Sequence, residues 1–383
     1  MISKIFPLYG VVHTPEMDVV ALDILRSGRI ASGEWVAKFE DALKGVIGLP
    51  HVVSTVDMTS ALFLALHLAD VQPGDEVLTT AFACLSTNSA IAHSKAIPVW
   101  VDVSPGNVSM SVADLESKIS EKTKAVILYH VAGYPGPARE ISELCKKYNL
   151  VLIEDCDNAL LAAQNGVTVG SYADFAIYSF YPNRQINATE GGALACRNEA
   201  MAAKARRLRR FGIDFGTFRA ETGEINPLSD IPEIGWGVTM NNLCSGLGYA
   251  QFESLNTRRD ATIRNAQALS SLISGVQGLT PVPVRESDQP VYWVFLILVE
   301  DQARVLSELK KRGVMASSVH QRNDVYSGFE GGAKYLPNTD VLQSSIIGVP
   351  CGWWLTEVDM VFIADALKEA VALQAAYAVD SQS

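Results

Sequence analysis

The feature that most constrains this chain is an alternation. Over the first two-thirds, short apolar runs are separated by stretches whose apolar side chains recur with helical spacing. Helical patterns at 57–68, 86–93 and 138–148 alternate with strand-like runs at 76–80, 97–103, 125–129, 150–154, 173–179 and 193–196. Strands joined through helices at this spacing predict a mostly parallel sheet between helices, because a parallel neighbour is reached only by a crossover connection. Pro-Gly at 73–74 and 135–136 marks turns. The polar stretch 214–233 carries Gly216, Gly223, Pro227 and Pro232 and reads as a long loop serving a site or an interface. A helical pattern then runs from 242 to 273. After it come a strand at 291–299, a helix at 302–312, a strand at 315–319 and a last helix at 357–376. The expectation is a large α/β domain over 1–250 and a smaller α+β domain over 251–383, with the boundary inside the long helix.

Composition excludes several classes. The formal net charge of −11 argues against a protein that tracks nucleic-acid phosphates or an anionic membrane surface. No apolar run approaches the roughly 20 residues that a spanning helix needs. The start, Met1-Ile2-Ser3-Lys4-Ile5-Phe6-Pro7, lacks the apolar region and cleavage site of a signal peptide. The six cysteines are scattered and form no metal-ligand spacing, so they read as reduced thiols of a cytoplasmic protein without a structural metal.

Several residues suggest chemistry. The run 150–153 ends in Glu154-Asp155, and ligands of open α/β sheets sit beyond the carboxyl ends of strands. Asp155 can pair with a protonated pyridine nitrogen and keep such a ring electron-poor, or it can simply cap a helix. Ser179, at the end of another strand, and Thr59 and Ser60, at a helix start, offer hydroxyl and N–H donors to a phosphate; small hydroxyl residues also cap helices with no ligand present. Glu190-Gly191-Gly192 is a turn, and His320 follows a strand of the second domain, where it serves either structure or substrate.

Taken in order, these pieces are more specific. Glu154-Asp155, then Tyr178-Ser179-Phe180-Tyr181-Pro182-Asn183-Arg184, then Glu190-Gly191-Gly192, resemble the DegT/DnrJ/StrS sugar aminotransferase family, fold-type I enzymes dependent on pyridoxal phosphate. The likeness runs nearly end to end. It takes in Thr59-Ser60-Ala61-Leu62, Ile97 through Asp102, Gly313-Val314, Ser318-Val319-His320 and Val349-Pro350. The resemblance implies amino-sugar synthesis on nucleotide-activated keto sugars by a homodimer with shared active sites. It places Asp155 on the pyridine nitrogen, Asn158 by the ring oxygen, Ser179 and the Thr59-Ser60 helix start on the phosphate, Phe82 near the ring, and His320 near the sugar.

The departures matter as much. The resemblance puts a Schiff-base lysine at position 184, and this chain has Arg184, with no lysine between Lys147 and Lys204. A guanidinium stays protonated, with a pKa above about 12, so it is neither an amine nucleophile nor a proton shuttle. Met58 replaces the glycine of the phosphate cup and Asp57 precedes it. Gly237-Val238-Thr239 replaces an Asn-Tyr-Arg segment that reaches across the dimer, and Cys84 stands where an aromatic often covers the ring. Three functions follow. One is a relative that uses pyridoxal or pyridoxamine phosphate non-covalently, as in a sugar 3-dehydratase-like reaction. The second is a cofactor-free reaction in the same pocket, with Arg184 binding a carboxylate or diphosphate. The third is a non-catalytic partner subunit.

Overall fold

The computed structural model describes residues 4–329 and 334–380, the last eight of these as helix backbone only. A seven-stranded sheet forms its centre, in the order His51–Thr55, Gly192–Cys196, Phe175–Ser179, Val151–Asp155, Thr123–Tyr129, Glu76–Thr80, Ile97–Val101. Gly192–Cys196 runs antiparallel to both of its neighbours; every other pairing is parallel. The sequence predicts this architecture correctly. Strands such as Ala125 to Tyr129 and Phe175 to Ser179 are buried on both faces, which is why they read as continuous apolar runs rather than alternating ones.

Helices cover the sheet on both sides. Met58–Leu68 packs Ala61, Leu62, Ala65 and Leu66 against Ile127, Ile153 and Leu194. Ala138–Tyr148 packs Ile141 and Cys145 against Leu128 and Leu152 on the other. A helix that the sequence patterns did not suggest, Pro15–Ser27, is bounded by Thr14, whose hydroxyl accepts from Met17 N, by Pro15 in its first turn, and by Gly28 in the left-handed conformation.

The long helical pattern after 242 is two helices, Asn242–Tyr249 and Phe252–Leu272. Gln251 between them is fully buried and turns its amide to Asn187, accepting from Asn187 N at 2.9 Å and donating to the Asn187 carbonyl. That side-chain bond fixes the break.

The C-terminal module contains a small antiparallel sheet of Thr280–Pro281, Phe295–Leu298 and Ile346–Val349. Two strand expectations need correction. The strand placed at 291–299 spans only Phe295–Leu298. Tyr292 has a φ of +49°, and the N–H groups of Val291 and Trp293 donate to the carbonyls of Gly133 and Ala132, in the turn that follows the carboxyl end of Thr123–Tyr129. The segment at 315–319 makes only an isolated bridge, Ser317 to Gly348, because Val319 sits at φ +68° and turns the chain away from the sheet. Helices Gln302–Lys311 and Glu357–Asp380 cover this sheet, and Phe6 from the start of the chain joins their core. No described helix is long and apolar enough to cross a membrane.

Candidate active site

Tyr129, Asp155 and Ser179 end three adjacent parallel strands, so the sheet alone brings them to one edge. Asp155 is fully buried. It accepts from the Thr87 hydroxyl at 2.7 Å and from Asp157 N at 3.1 Å. Burial, and after it the charge of Asp157, pushes its carboxyl up to about 7.

Arg184 lies in the connection between Ser179 and Gly192. Its Nε donates to one carboxylate oxygen of Asp157 and its second terminal nitrogen donates to the other at 3.0 Å. The remaining terminal nitrogen donates to Asn183 Oδ1. The guanidinium lies 5.0 Å from the centre of the Trp293 ring, whose N–H is anchored on the Asn183 carbonyl. Burial opposes the arginine's charge, but Asp157 outweighs it and holds the group above its ordinary value. Arg184 is thus a fixed cation with its fork already filled.

Beyond Arg184 is a chain of neutral groups. Asn158 Nδ2 donates to the Tyr129 hydroxyl at 2.6 Å, and that hydroxyl lies 3.1 Å from His320 Nε2. The left-handed turn at Val319 aims His320 into this cleft, where Phe82 meets it edge-on at 5.5 Å and Trp293 stacks at 6.4 Å. Burial, reinforced by Arg184, lowers His320 to about 3, so it is uncharged at neutral pH. Asn158 Oδ1 is buried without a partner among the described residues.

Thr59 and Ser60 lie at the start of Met58–Leu68, as expected. Asp57 caps that helix, its carboxylate accepting from Ser60 N at 2.7 Å. The Met58 sulfur is buried against the Ser86 hydroxyl, which also donates to Cys84 at 3.1 Å. Glu190 is raised by burial and then by the charge of Asp57. Ser179 Oγ accepts weakly from Tyr181 N at 3.4 Å. Gly192 is required here: a Cβ would come within 2.4–2.6 Å of the Asp57 carbonyl and Met58 N.

The structure therefore gathers Asp155, Asn158, Arg184, His320 and Phe82 into one cluster, and sets Thr59, Ser60 and Ser179 on separate element ends of the same sheet edge. The sequence reading missed Asp157, Tyr129, Trp293 and Thr87. Asp157 alone left a signal, as a second acid two positions after Asp155. A buried group that could hold a metal, His130, Glu154 and Cys156, has its histidine and carboxylate committed to the protein. His130 Nδ1 accepts from Gly136 N and its Nε2 faces Glu154 at 3.0 Å, while Glu154 also accepts from Gly170 N and Tyr172 N.

The sequence profile of the DegT/DnrJ/EryC1/StrS aminotransferase family matches residues 14–368. The chain belongs to this family. It is 35% identical over 362 residues to a pleiotropic regulatory protein of Geobacillus stearothermophilus, covering 93% of this chain and 94% of that one. It is 28% identical over 383 residues to the dTDP-4-dehydro-2,3,6-trideoxy-D-glucose 4-aminotransferase of Saccharopolyspora spinosa, covering 97% of each. Its fold matches that of sugar aminotransferase CalS13 from Micromonospora echinospora with a TM-score of 0.89 at 29% identity, over 96% of this chain and all of that one. As a member of the DegT/DnrJ/EryC1/StrS family it is an aminotransferase-family enzyme, and the family is one of pyridoxal- or pyridoxamine-phosphate-dependent aminotransferases.

Whether the family's cofactor suits these residues is a physical question. At the ring end, Asp155 and the orphaned Asn158 Oδ1 are polar groups that a pyridine could engage. At the phosphate end, the Asp57 carboxylate takes the helix N–H that an anion would use, Glu190 adds a second acid, and Met58 fills the approach. At the attachment point there is no amine. The residues do not fit a lysine-bound pyridoxal phosphate.

Proposed function

We propose that this protein acts on a nucleotide-linked keto sugar in amino- or deoxy-sugar synthesis, in the cleft between Asp155 and His320, without a lysine internal aldimine. The observation that carries the reading is the Arg184–Asp157 pair, which fills the lysine position with a cation that can neither form an imine nor release a proton. The printed names of relatives support the substrate class: a UDP-4-amino-4-deoxy-L-arabinose aminotransferase, a GDP-perosamine synthase and the dTDP-sugar aminotransferase.

The chain's own residues have defined capacities. Asp155, at about 7, holds or gives up a proton near neutrality. The Tyr129 hydroxyl, set between Asn158 and His320, is placed to donate a hydrogen bond in a water-poor cleft. Arg184 supplies fixed positive charge beside developing negative charge. A homodimer with shared sites, working in the cytoplasm, completes the proposal on the strength of the family resemblance. A second reading, in which pyridoxamine phosphate visits non-covalently, is favoured by Asp155 and Asn158 at the ring end.

The test is an absorbance spectrum of the purified protein with added pyridoxal or pyridoxamine phosphate, alongside calorimetric titration with UDP-, GDP- and dTDP-linked keto sugars. Binding of one sugar nucleotide without an aldimine band is expected. A lysine-aldimine band would refute the reading of position 184, and failure of every sugar nucleotide to bind would refute the substrate class. Saturable binding of pyridoxamine phosphate would establish the second reading.

A further inference from the structure

The walls of the cleft come from two modules, and one buried contact joins them. Asn88 lies in the helix Leu85–His93, which follows the strand Glu76–Thr80 of the large sheet. Asn323 lies in the smaller module, three residues after His320. The two are 235 positions apart and 0% and 1% exposed, and Asn88 Nδ2 donates to Asn323 Oδ1 at 2.9 Å.

The pair is saturated. Asn88 also donates to the Thr80 carbonyl at 3.1 Å and accepts from the Thr79 hydroxyl at 2.8 Å. Asn323 Nδ2 donates to the carbonyls of Ala83 and Gln321 at 3.1 and 3.0 Å, and Asn323 N donates to the Ala81 carbonyl at 2.8 Å. Both hydrogens of each side-chain amide are thus used. A small displacement would leave buried polar groups unpaired, a cost that apolar packing does not impose.

The bonds fall around the site. Ala81 and Ala83 flank Phe82, so Asn323 holds the backbone on both sides of the ring that meets His320 edge-on at 5.5 Å. Thr87, next to Asn88, donates to Asp155 at 2.7 Å. On the smaller module, Gln343 Nε2 donates to the His320 carbonyl at 3.1 Å and its Oε1 accepts from Arg322 N at 2.8 Å. One turn of helix is therefore bonded to the Asp155 wall and to the His320 segment at once.

We propose that Asn323, held by Asn88, is a positioning residue of the cleft, setting Phe82 against His320 and fixing the gap that receives the substrate. This role rests on the reading of the cleft as the reaction site. The test follows the His320 ring by NMR in the intact protein, with its resonances assigned by their loss in His320→Gln. In the parent protein, burial and the charge of Arg184 keep the ring neutral down to about 3. In Asn323→Ser and in Asn88→Ala the 320–324 segment should loosen and admit water, and the His320 midpoint should climb toward 6.5. Tyr129 and Arg184, the ionisable groups that face the ring, belong to other elements. The sugar nucleotide that binds the parent should bind each variant roughly fivefold more weakly. Ile141→Ala, a core change on the opposite face of the sheet, costs stability without touching the pair and should leave the His320 titration in place. Should one asparagine variant fail to fold, the other decides. A His320 titration unchanged in a folded variant, or moved as far by Ile141→Ala, would overturn the lock whatever the parent binds. A parent that binds no sugar nucleotide would overturn the reading of the cleft, and with it this role, even where the titration has moved.

Discussion

Asp157 receives the Arg184 guanidinium through both of its carboxylate oxygens, and the two side chains are 0% and 8% exposed. Removing one partner strands the other. Arg184→Ala should lower stability by roughly 3–5 kcal/mol, while Arg184→Leu combined with Asp157→Leu should recover most of that loss. Denaturant unfolding of the single and double variants checks this, and additive losses would show that the pair is not coupled.

Restoring the lysine should not restore its chemistry. In Arg184→Lys, the carboxylate of Asp157 remains beside the new amine and favours its charged form. Pyridoxal phosphate should therefore give little aldimine absorbance with this variant near neutral pH. Arg184→Lys with Asp157→Ala should give more, and spectra of the two variants side by side decide the matter.

The phosphate end should respond to charge. Asp57→Asn keeps a good helix cap but removes a negative charge from the helix start. Affinity for inorganic phosphate should rise by about 1 kcal/mol, roughly fivefold, and Glu190 should ionise more readily. Titration calorimetry with phosphate measures the gain; no gain would mean that Asp57 is not what opposes an anion there.

Two groups of the cleft should shape the pH dependence in opposite senses. Asp155 binds its proton more tightly folded, at about 7, than unfolded, at 3.8, so its contribution is intact at low pH and is lost as pH rises through that window. His320 is depressed from 6.5 to about 3, so its contribution is present above 6.5 and is lost as pH falls. Thermal unfolding from pH 4 to 8 should show Asp155→Asn flattening the decline toward high pH and His320→Gln flattening the decline toward low pH. An Asp155→Asn profile parallel to that of the parent protein would contradict the assignment.

Tyr129→Phe removes the hydroxyl shared by the buried Asn158 and the part-buried His320 and leaves both short of a partner. A stability loss of about 1–3 kcal/mol is expected. The proposed reaction should slow in kcat more than in KM, because the hydroxyl is placed to donate to the reacting sugar rather than to hold its nucleotide.

The sheet was legible because its parallel strands, buried on both faces, leave long apolar runs. The smaller module was less so. Its expected strand at 315–319 is apolar enough, but the left-handed Val319 that ends its extension leaves no mark in composition. Among the site residues, Asp155 and Arg184 stood out because each sits at a fixed step from a strand or a glycine turn. Trp293 could not be seen. Its bond to Asn183 spans 110 positions, and only the docking of the 291–293 segment on the 131–133 turn creates it. Asp157 was visible as a second acid, yet its role depends on a partner 27 residues away.

The pair at 157 and 184 also has a consequence for what single substitutions can reach. A single step back to lysine meets a carboxylate that keeps the amine charged, and a single loss of the acid strands a buried arginine. Each one-residue route to an imine-forming site passes through a protein that is less stable or no more reactive. The ion pair thus works as a ratchet: starting from this arrangement, neither single substitution by itself yields a free amine on an undisturbed fold.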